Sequence, residues 1–264
     1  MNIHSLYCGT YSVGLDKIFY PIDRDAQAEK GALKLSIHSF LIRTEHRTIL
    51  IDPGLGPFSA DQAGNRLLEE LALHGLEDHD ITDIICSHLH YDHIGGLVKN
   101  THGYLELQFP EAVIWASRKE WEKVSSKSVY YDDEKTAFIA FLQAKASLHL
   151  VEQDQTLFDG IAVEHLGGHT EFSLLIRGDL GEDAFLMAGD VLANASHVNR
   201  KFTAKYDFDP KGAAELREKI ARRAFEENRW ILAFHSNHEA IFRLASPNDQ
   251  GYTLIYPSKR MITV

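Results

Sequence analysis

The chain has 264 residues, 44% hydrophobic and 25% charged, a globular composition with enough apolar material for a sizeable core. Its net charge is −11 with histidine counted neutral; so negative a surface repels phosphate backbones and anionic membranes, which argues against nucleic acid or membrane as partner. Two cysteines, Cys8 and Cys86, are too few for a disulfide framework, the opening MNIHSLYCGTYS lacks the regions of a signal peptide, and no apolar run approaches a membrane span, so a cytoplasmic location is expected.

In chain order, residues 11–33, with Phe19, Tyr20 and Pro21, read as a long loop that could serve as a lid. SIHSFLIRTEHRTILIDPG (36–54) reads as two strands joined by a tight turn and closed by Asp-Pro-Gly. A helix is expected over about 61–74, and DIICSH is a strand that runs into SHLHYDHIGG (87–96). A helix opens at Ser117 with Glu120 three residues on, a capping box, and another spans about 133–146 with Phe138, Ile139, Phe141 and Leu142 as its apolar side. IAVEHLGGHT, FSLLIRGD and AFLMAGD follow as three short strands ending in polar or glycine residues. Asp209 as N-cap and Pro210 at the first helical position open a helix carrying Leu216, Ile220 and Ala224, and RWILAFHSNH is the last strand. Apolar strands alternating with helices imply helix-covered sheets, and the order is loosely repeated. The pattern gives a single α/β domain, 1–264, of two similar halves; facing each other, they would make a four-layer αββα sandwich.

The polar residues fall where such a fold gathers its loops. His88, His90, Asp92 and His93 follow one strand, His169 another, and Asp190 and His235 close two more. Five imidazoles and two carboxylates exceed what one tetrahedral zinc takes, and suit two metals sharing a carboxylate and a solvent oxygen. An imidazole-rich set favours Zn²⁺, with Mn²⁺, Fe²⁺ or Co²⁺ compatible. The remaining histidines, His38 among them, read as surface or satisfied core residues, although His238 competes with His235. Cys86 reads as a small buried hydrophobe. Trp115, Trp121, Tyr130, Tyr131, Phe138 and Phe141 read as core, with some available to line a cleft beside the histidine cluster.

LIDPG (50–54), SHLHYDHIGG (87–96), GGHT (167–170), AGD (188–190) and FH (234–235) together resemble the motifs of the metallo-β-lactamase-fold hydrolases, over most of the chain. The resemblance implies an αββα fold and a dinuclear site: His88, His90 and His169 on one metal, Asp92, His93 and His235 on the other, Asp190 bridging, and Asp52 steadying a ligand histidine. It also implies that a water held between the ions is the nucleophile, that Asp190 positions it, and that Asp92 helps move its proton. Glutamate usually stands in place of His90 in the flavodiiron reductases, and the zinc β-lactamases lack the bridging aspartate. Glyoxalase II and the tRNA 3′-end nucleases share all seven ligands, but the nucleases use a basic arm not found here. YDFDP (206–210), the arginines Arg217, Arg222 and Arg223, and WILAFH resemble most the quorum-quenching lactonases and organophosphate hydrolases. The expected activity is hydrolysis of a small lactone or carboxylic ester. The alternatives are phosphotriester or phosphodiester hydrolysis, a glyoxalase II-like thioesterase, or a metal-bound sensor without turnover. Many acyl-homoserine lactonases carry a tyrosine where this chain has Ala193; His197, Tyr206 and Tyr131 are the candidates to replace its hydroxyl. Related lactonases often dimerise, so a homodimer is implied.

Overall fold

The computed structural model describes residues 2–60, 66–131, 133–158, 160–248 and 251–257. The first half runs β1 (Ile3–Val13), β2 (Phe19–Ile22), β3 (Leu33–Arg43), β4 (Thr48–Ile51), α1 (Arg66–Leu73), β5 (Asp83–Ile85), α2 (Tyr91–Ile94), β6 (Val98–Thr101), β7 (Tyr104–Leu107), β8 (Val113–Ser117), α3 (Arg118–Tyr131), α4 (Asp133–Lys145) and β9 (Ser147–Val151). The second half runs β10 (Gln155–Phe158), β11 (Ile161–His165), β12 (Leu174–Gly178), β13 (Phe185–Met187), α5 (Pro210–Glu226), β14 (Trp230–Leu232), β15 (Ile241–Asn248) and β16 (Gly251–Ile255).

Each half builds a seven-stranded sheet, ordered β2-β1-β3-β4-β5-β8-β9 and β10-β11-β12-β13-β14-β15-β16; β6 and β7 form a separate hairpin. The parallel pairs are β4–β5, β5–β8, β8–β9 and β13–β14. One core cluster joins the facing sheets, with Ile37, Phe40 and Ile51 from the first and Leu174, Ile176, Met187 and Phe234 from the second. A second cluster lies under α5, whose Ile220, Ala221 and Ala224 pack with Leu186, Ile231 and Phe242. On the other side α1 covers β1, and α3 covers β8 and β9. This is the αββα sandwich, each sheet burying one face on its counterpart and the other under helices.

The capping residues behave as expected. Asp209 accepts the amide of Gly212 (3.0 Å) with Pro210 beginning α5, and Ser117 accepts the amide of Glu120 (3.4 Å). The Glu120 carboxylate does not complete the box; it turns inward to accept the hydroxyl of Thr170 (3.0 Å). Two expectations need correction. Residues 11–33 are not a long loop: β1 continues to Val13 and pairs with β2, Val13 opposite Phe19, because Tyr11 and Val13 are buried and Phe19 packs edge-on against Tyr11. RWILAFHSNH is not the last strand: β14 stops at Leu232 and a turn closed by Ala233 N–H to Ala240 O (2.8 Å) leads into β15 and β16, where Ile241, Phe242 and Leu244 are buried. Of the helix expected over 61–74, the part from Arg66 is α1, and 61–65 lie outside the described residues. Cys8 and Cys86 are free and buried.

Candidate metal centre

Asp52 follows β4 in a left-handed conformation (φ 50°), which short polar side chains tolerate, and is fully buried beneath the loop after β5. It accepts three hydrogen bonds: the Ser87 amide on Oδ1 (2.7 Å), and the Ser87 hydroxyl (2.6 Å) and His93 Nδ1–H (2.7 Å) on Oδ2. The glycine pair after His93 is needed because backbone crosses backbone there. A Cβ on Gly95 would stand 2.1 Å from the Leu55 carbonyl oxygen, and one on Gly96 2.1 Å from that of Pro53. That contact allows Gly54 N–H to reach His93 O (3.2 Å) and Gly96 N–H to reach Gly54 O (2.8 Å), seating the histidine loop on the Asp-Pro-Gly turn.

The remaining residues arrive from the second sheet. Gly189, at φ 51°, carries the chain from β13 past Ser87 and presents Asp190. His169 precedes α5 in space: Phe208 N–H donates to its carbonyl (2.9 Å), and Asp209 N–H to that of Gly168 (2.9 Å). His235, just past β14, has its amide on Ala193 O (2.7 Å).

All seven expected residues converge. Three groups have potential ligand atoms within 4.8 Å of one another: His88, His90 and His169; His88, His93 and Asp190; and Asp92, His93 and His235. Asp190 turns its two oxygens to different sides. Oδ1 faces His93 Nε2 (3.3 Å) and His235 Nε2 (3.4 Å), while Oδ2 faces His169 Nε2 (3.3 Å). Asp92 Oδ2 lies 3.3 Å from His235 Nε2. On the first side, His90 Nδ1 stands 3.0 Å from His88 Nε2 and 3.1 Å from His169 Nε2, three ring nitrogens crowded together.

Four of the five imidazoles are held from behind. Besides His93 on Asp52, His169 Nδ1 bonds Asp207 (2.8 Å), His235 Nδ1 bonds the Ser36 carbonyl (2.9 Å) and His88 Nδ1 meets the Ser87 hydroxyl (3.1 Å). Such partners fix the tautomer and aim the opposite nitrogen. His93 also stacks on Phe234, with centroids 3.9 Å apart.

The electrostatics are divided. Burial, then His93 beside it, pushes His88 well below the ordinary imidazole range; burial and His169 bring His90 down to about 4. Burial would also lower His93 and His235, but Asp190 and Asp92 outweigh it and raise both, His235 to about 10. Asp92 falls to about 2 against its burial, held by His93 and His235. His93 Nε2 and Asp190 Oδ1 are buried with no hydrogen-bond partner. Convergent imidazole and carboxylate donors, crowded ring nitrogens and unsatisfied buried atoms fit divalent transition-metal cations.

His238 is exposed, and its carbonyl accepts Arg24; it belongs to none of the three groups. Of the candidates to replace the missing hydroxyl at Ala193, Tyr206 is 62% exposed with its ring 6.1 Å from His169, and His197 is half-buried against Phe202. The Tyr131 side chain lies outside the described residues. Trp121 and Phe138 are core; Phe58, Tyr91 and Phe138 form a packed aromatic group. Asp207 and Glu120 have supporting roles not anticipated from sequence. Asp207 lies inside the noted YDFDP, but its contact with His169 crosses 38 positions.

A family model described as the metallo-beta-lactamase superfamily matches residues 33–235. An N-acyl homoserine lactonase from Bacillus sp. is 29% identical over 196 residues, covering 67% of this chain and 70% of the relative. Among solved structures, "hydrolase AbOPH in beta lactamase superfamily" superposes with a TM-score of 0.75 at 24% identity, covering 97% of this chain and 94% of its own. AidC, described as a dizinc quorum-quenching lactonase, also gives 0.75, at 20% identity and with coverages of 97% and 94%.

Proposed function

Since the chain belongs to the metallo-beta-lactamase superfamily and is a metal-dependent hydrolase, we propose that its substrate is a small, largely apolar carboxylic ester, with N-acyl homoserine lactones first among the class. The observation that carries the two-cation part of this reading is Asp190, whose two oxygens face separate donor groups. In it, His88, His90 and His169 would hold one cation and Asp92, His93 and His235 the other, with Asp190 placed to serve both; zinc suits the imidazole majority. When bound, the cations supply Lewis acidity, acidifying water and polarising the carbonyl.

The chain's own residues divide the remaining work. Asp190 orients the water between the two donor groups. Asp92, a carboxylate at neutral pH, takes one proton as the water oxygen adds to the acyl carbon, and returns it to the alkoxide when the carbon–oxygen bond of the ester breaks. Asp52, Asp207 and the Ser36 carbonyl keep the imidazoles aimed. Tyr206 and Phe208, 62% and 59% exposed beside the His169 loop, offer apolar surface for an acyl chain. The −11 charge supports an uncharged substrate over nucleic acid. No described helix is long and apolar enough to cross a membrane.

A panel of acyl-homoserine lactones, aryl esters, thioesters and phosphoesters on metal-replete protein tests this. Lactone or ester hydrolysis is expected, lost on chelation and restored by Zn²⁺. Cleavage of phosphodiesters with every lactone and ester intact would sink it. Ala193 favours a second reading, phosphotriester hydrolysis: without a hydroxyl donor there, lactone turnover can fall by about 10²–10³.

A further inference from the structure

We propose that a pocket between α5 and the 197–203 segment, lined by none of the seven residues of the metal centre, binds a small organic anion with an apolar body. The cavity measures about 620 Å³, in the range that encloses small ligands. Four cations line it, Arg200, Lys201, Arg217 and Arg222, against one carboxylate, Glu218. In a chain of net charge −11 such a concentration is out of keeping with the whole.

These cations are not consumed by internal pairing. Lys201 meets Glu218 at 3.7 Å, a mostly exposed contact of little energetic weight. Arg200 and Arg222 have no carboxylate within ion-pair distance among the described residues. Arg217 is the stronger observation, because it is only 4% exposed. Its guanidinium donates to the carbonyls of Val191 (2.9 Å) and Phe202 (3.1 Å) and lies 4.0 Å over the Phe202 ring. Its direct contacts are carbonyl dipoles and a ring face, and Asp207 acts on it from beyond ion-pair distance; with Arg200, Lys201 and Arg222 beside it the lining keeps net positive potential, which an anion would neutralise.

The rest of the lining suits the apolar part of such a ligand. Phe202 and Tyr252 supply ring surface, and Ala221 a flat patch of helix. His197 also lines the pocket and meets the Phe202 ring edge-on at 4.7 Å. The wall at Gly251 is fixed: Asn199 bonds both the amide and the carbonyl of Tyr252 (2.8 and 2.7 Å), and a Cβ on Gly251 would stand 2.3 Å from its side-chain oxygen. Through Arg217 and Val191 the pocket touches the residue next to Asp190. Its occupancy is independent of which bond the metal centre hydrolyses.

The test is titration of metal-loaded protein with phenyl phosphate at low ionic strength, by calorimetry and ligand-observed NMR, with benzyl alcohol as the uncharged control. Saturable one-site binding of the phosphate is expected, weakened by added salt and absent for the alcohol. The Arg200→Glu/Arg222→Glu double variant should bind at least tenfold more weakly, each single variant should lose part of that, and Arg222→Lys should retain most of it. Aryl-ester turnover without phosphate should be unchanged, since both arginines are exposed and away from the donor groups. Equal affinity in wild type and both single variants would place the phosphate at the metals or nowhere in particular, and overturn the proposal. So would equal binding of benzyl alcohol, or an absence of saturation. The readout is binding, so failure of the proposed ester hydrolysis would leave the result intact.

Discussion

At the residue scale the site rests on a division between side chains that face the centre and those that hold them. Asp190 serves both donor groups, so Asp190→Ala should lower bound metal at both and abolish turnover, measured by elemental analysis and initial rates. Asp52 and Asp207 each hold one histidine by its far nitrogen, and Asp52→Ala or Asp207→Ala should cost on the order of 10–100-fold in metal affinity or rate. A near-normal Asp190→Ala enzyme would refute the bridging assignment. His235→Ala should lose metal while His238→Ala keeps it, because only the first presents Nε2 to Asp92 and Asp190.

At the scale of elements, short connections place these residues. Gly95 and Gly96 bring the α2 turn into backbone contact with the Asp-Pro-Gly turn, leaving a methyl group no room. Gly96→Ala should destabilise the fold by about 1–3 kcal/mol, read as a fall in Tm, and weaken metal binding at His93. Asp209 caps α5 while its own amide holds the Gly168 carbonyl. Asp209→Ala should cost about 1 kcal/mol in denaturant titration and leave His235 undisturbed. The expected loop over 11–33 shows why element readings fail at edges: β2 is four residues long, and its pairing with β1 decides its form more than local preference does.

At the scale of the whole molecule, the sheets are tied together across the core by His38. Its amide donates to Phe234 O (3.0 Å), Nε2–H donates to Ser236 O (2.9 Å), and Nδ1 accepts the Ser5 hydroxyl (2.8 Å). Burial holds His38 neutral, its pKa lowered from 6.5 to about 3. The unfolded chain binds a proton near pH 6.5 that the folded chain refuses, so this contribution is full above pH 6.5 and is lost as pH falls toward about 3. Urea unfolding of wild type and His38→Gln, at matched metal content, should show wild type losing more stability between pH 7 and 5; equal slopes would refute the assignment.

From the amino-acid order alone one can read the candidate donors, their sequence along the chain and their place at strand ends, and the fold brings those side chains together. The donors are legible because imidazole and carboxylate chemistry is carried by residue type, and strand ends are marked by apolar runs breaking into Asp, Gly and His. The same order also carries the two-half α/β pattern, since apolar periodicity is local. The three-dimensional packing sets which oxygen of Asp190 faces which histidines, that Asp207 stands behind His169, that Glu120 leaves its own cap for Thr170, and that His235 rather than His238 points inward. Those are relations between distant segments, set by sheet register and by where backbone can approach backbone, and no local pattern of residues encodes them.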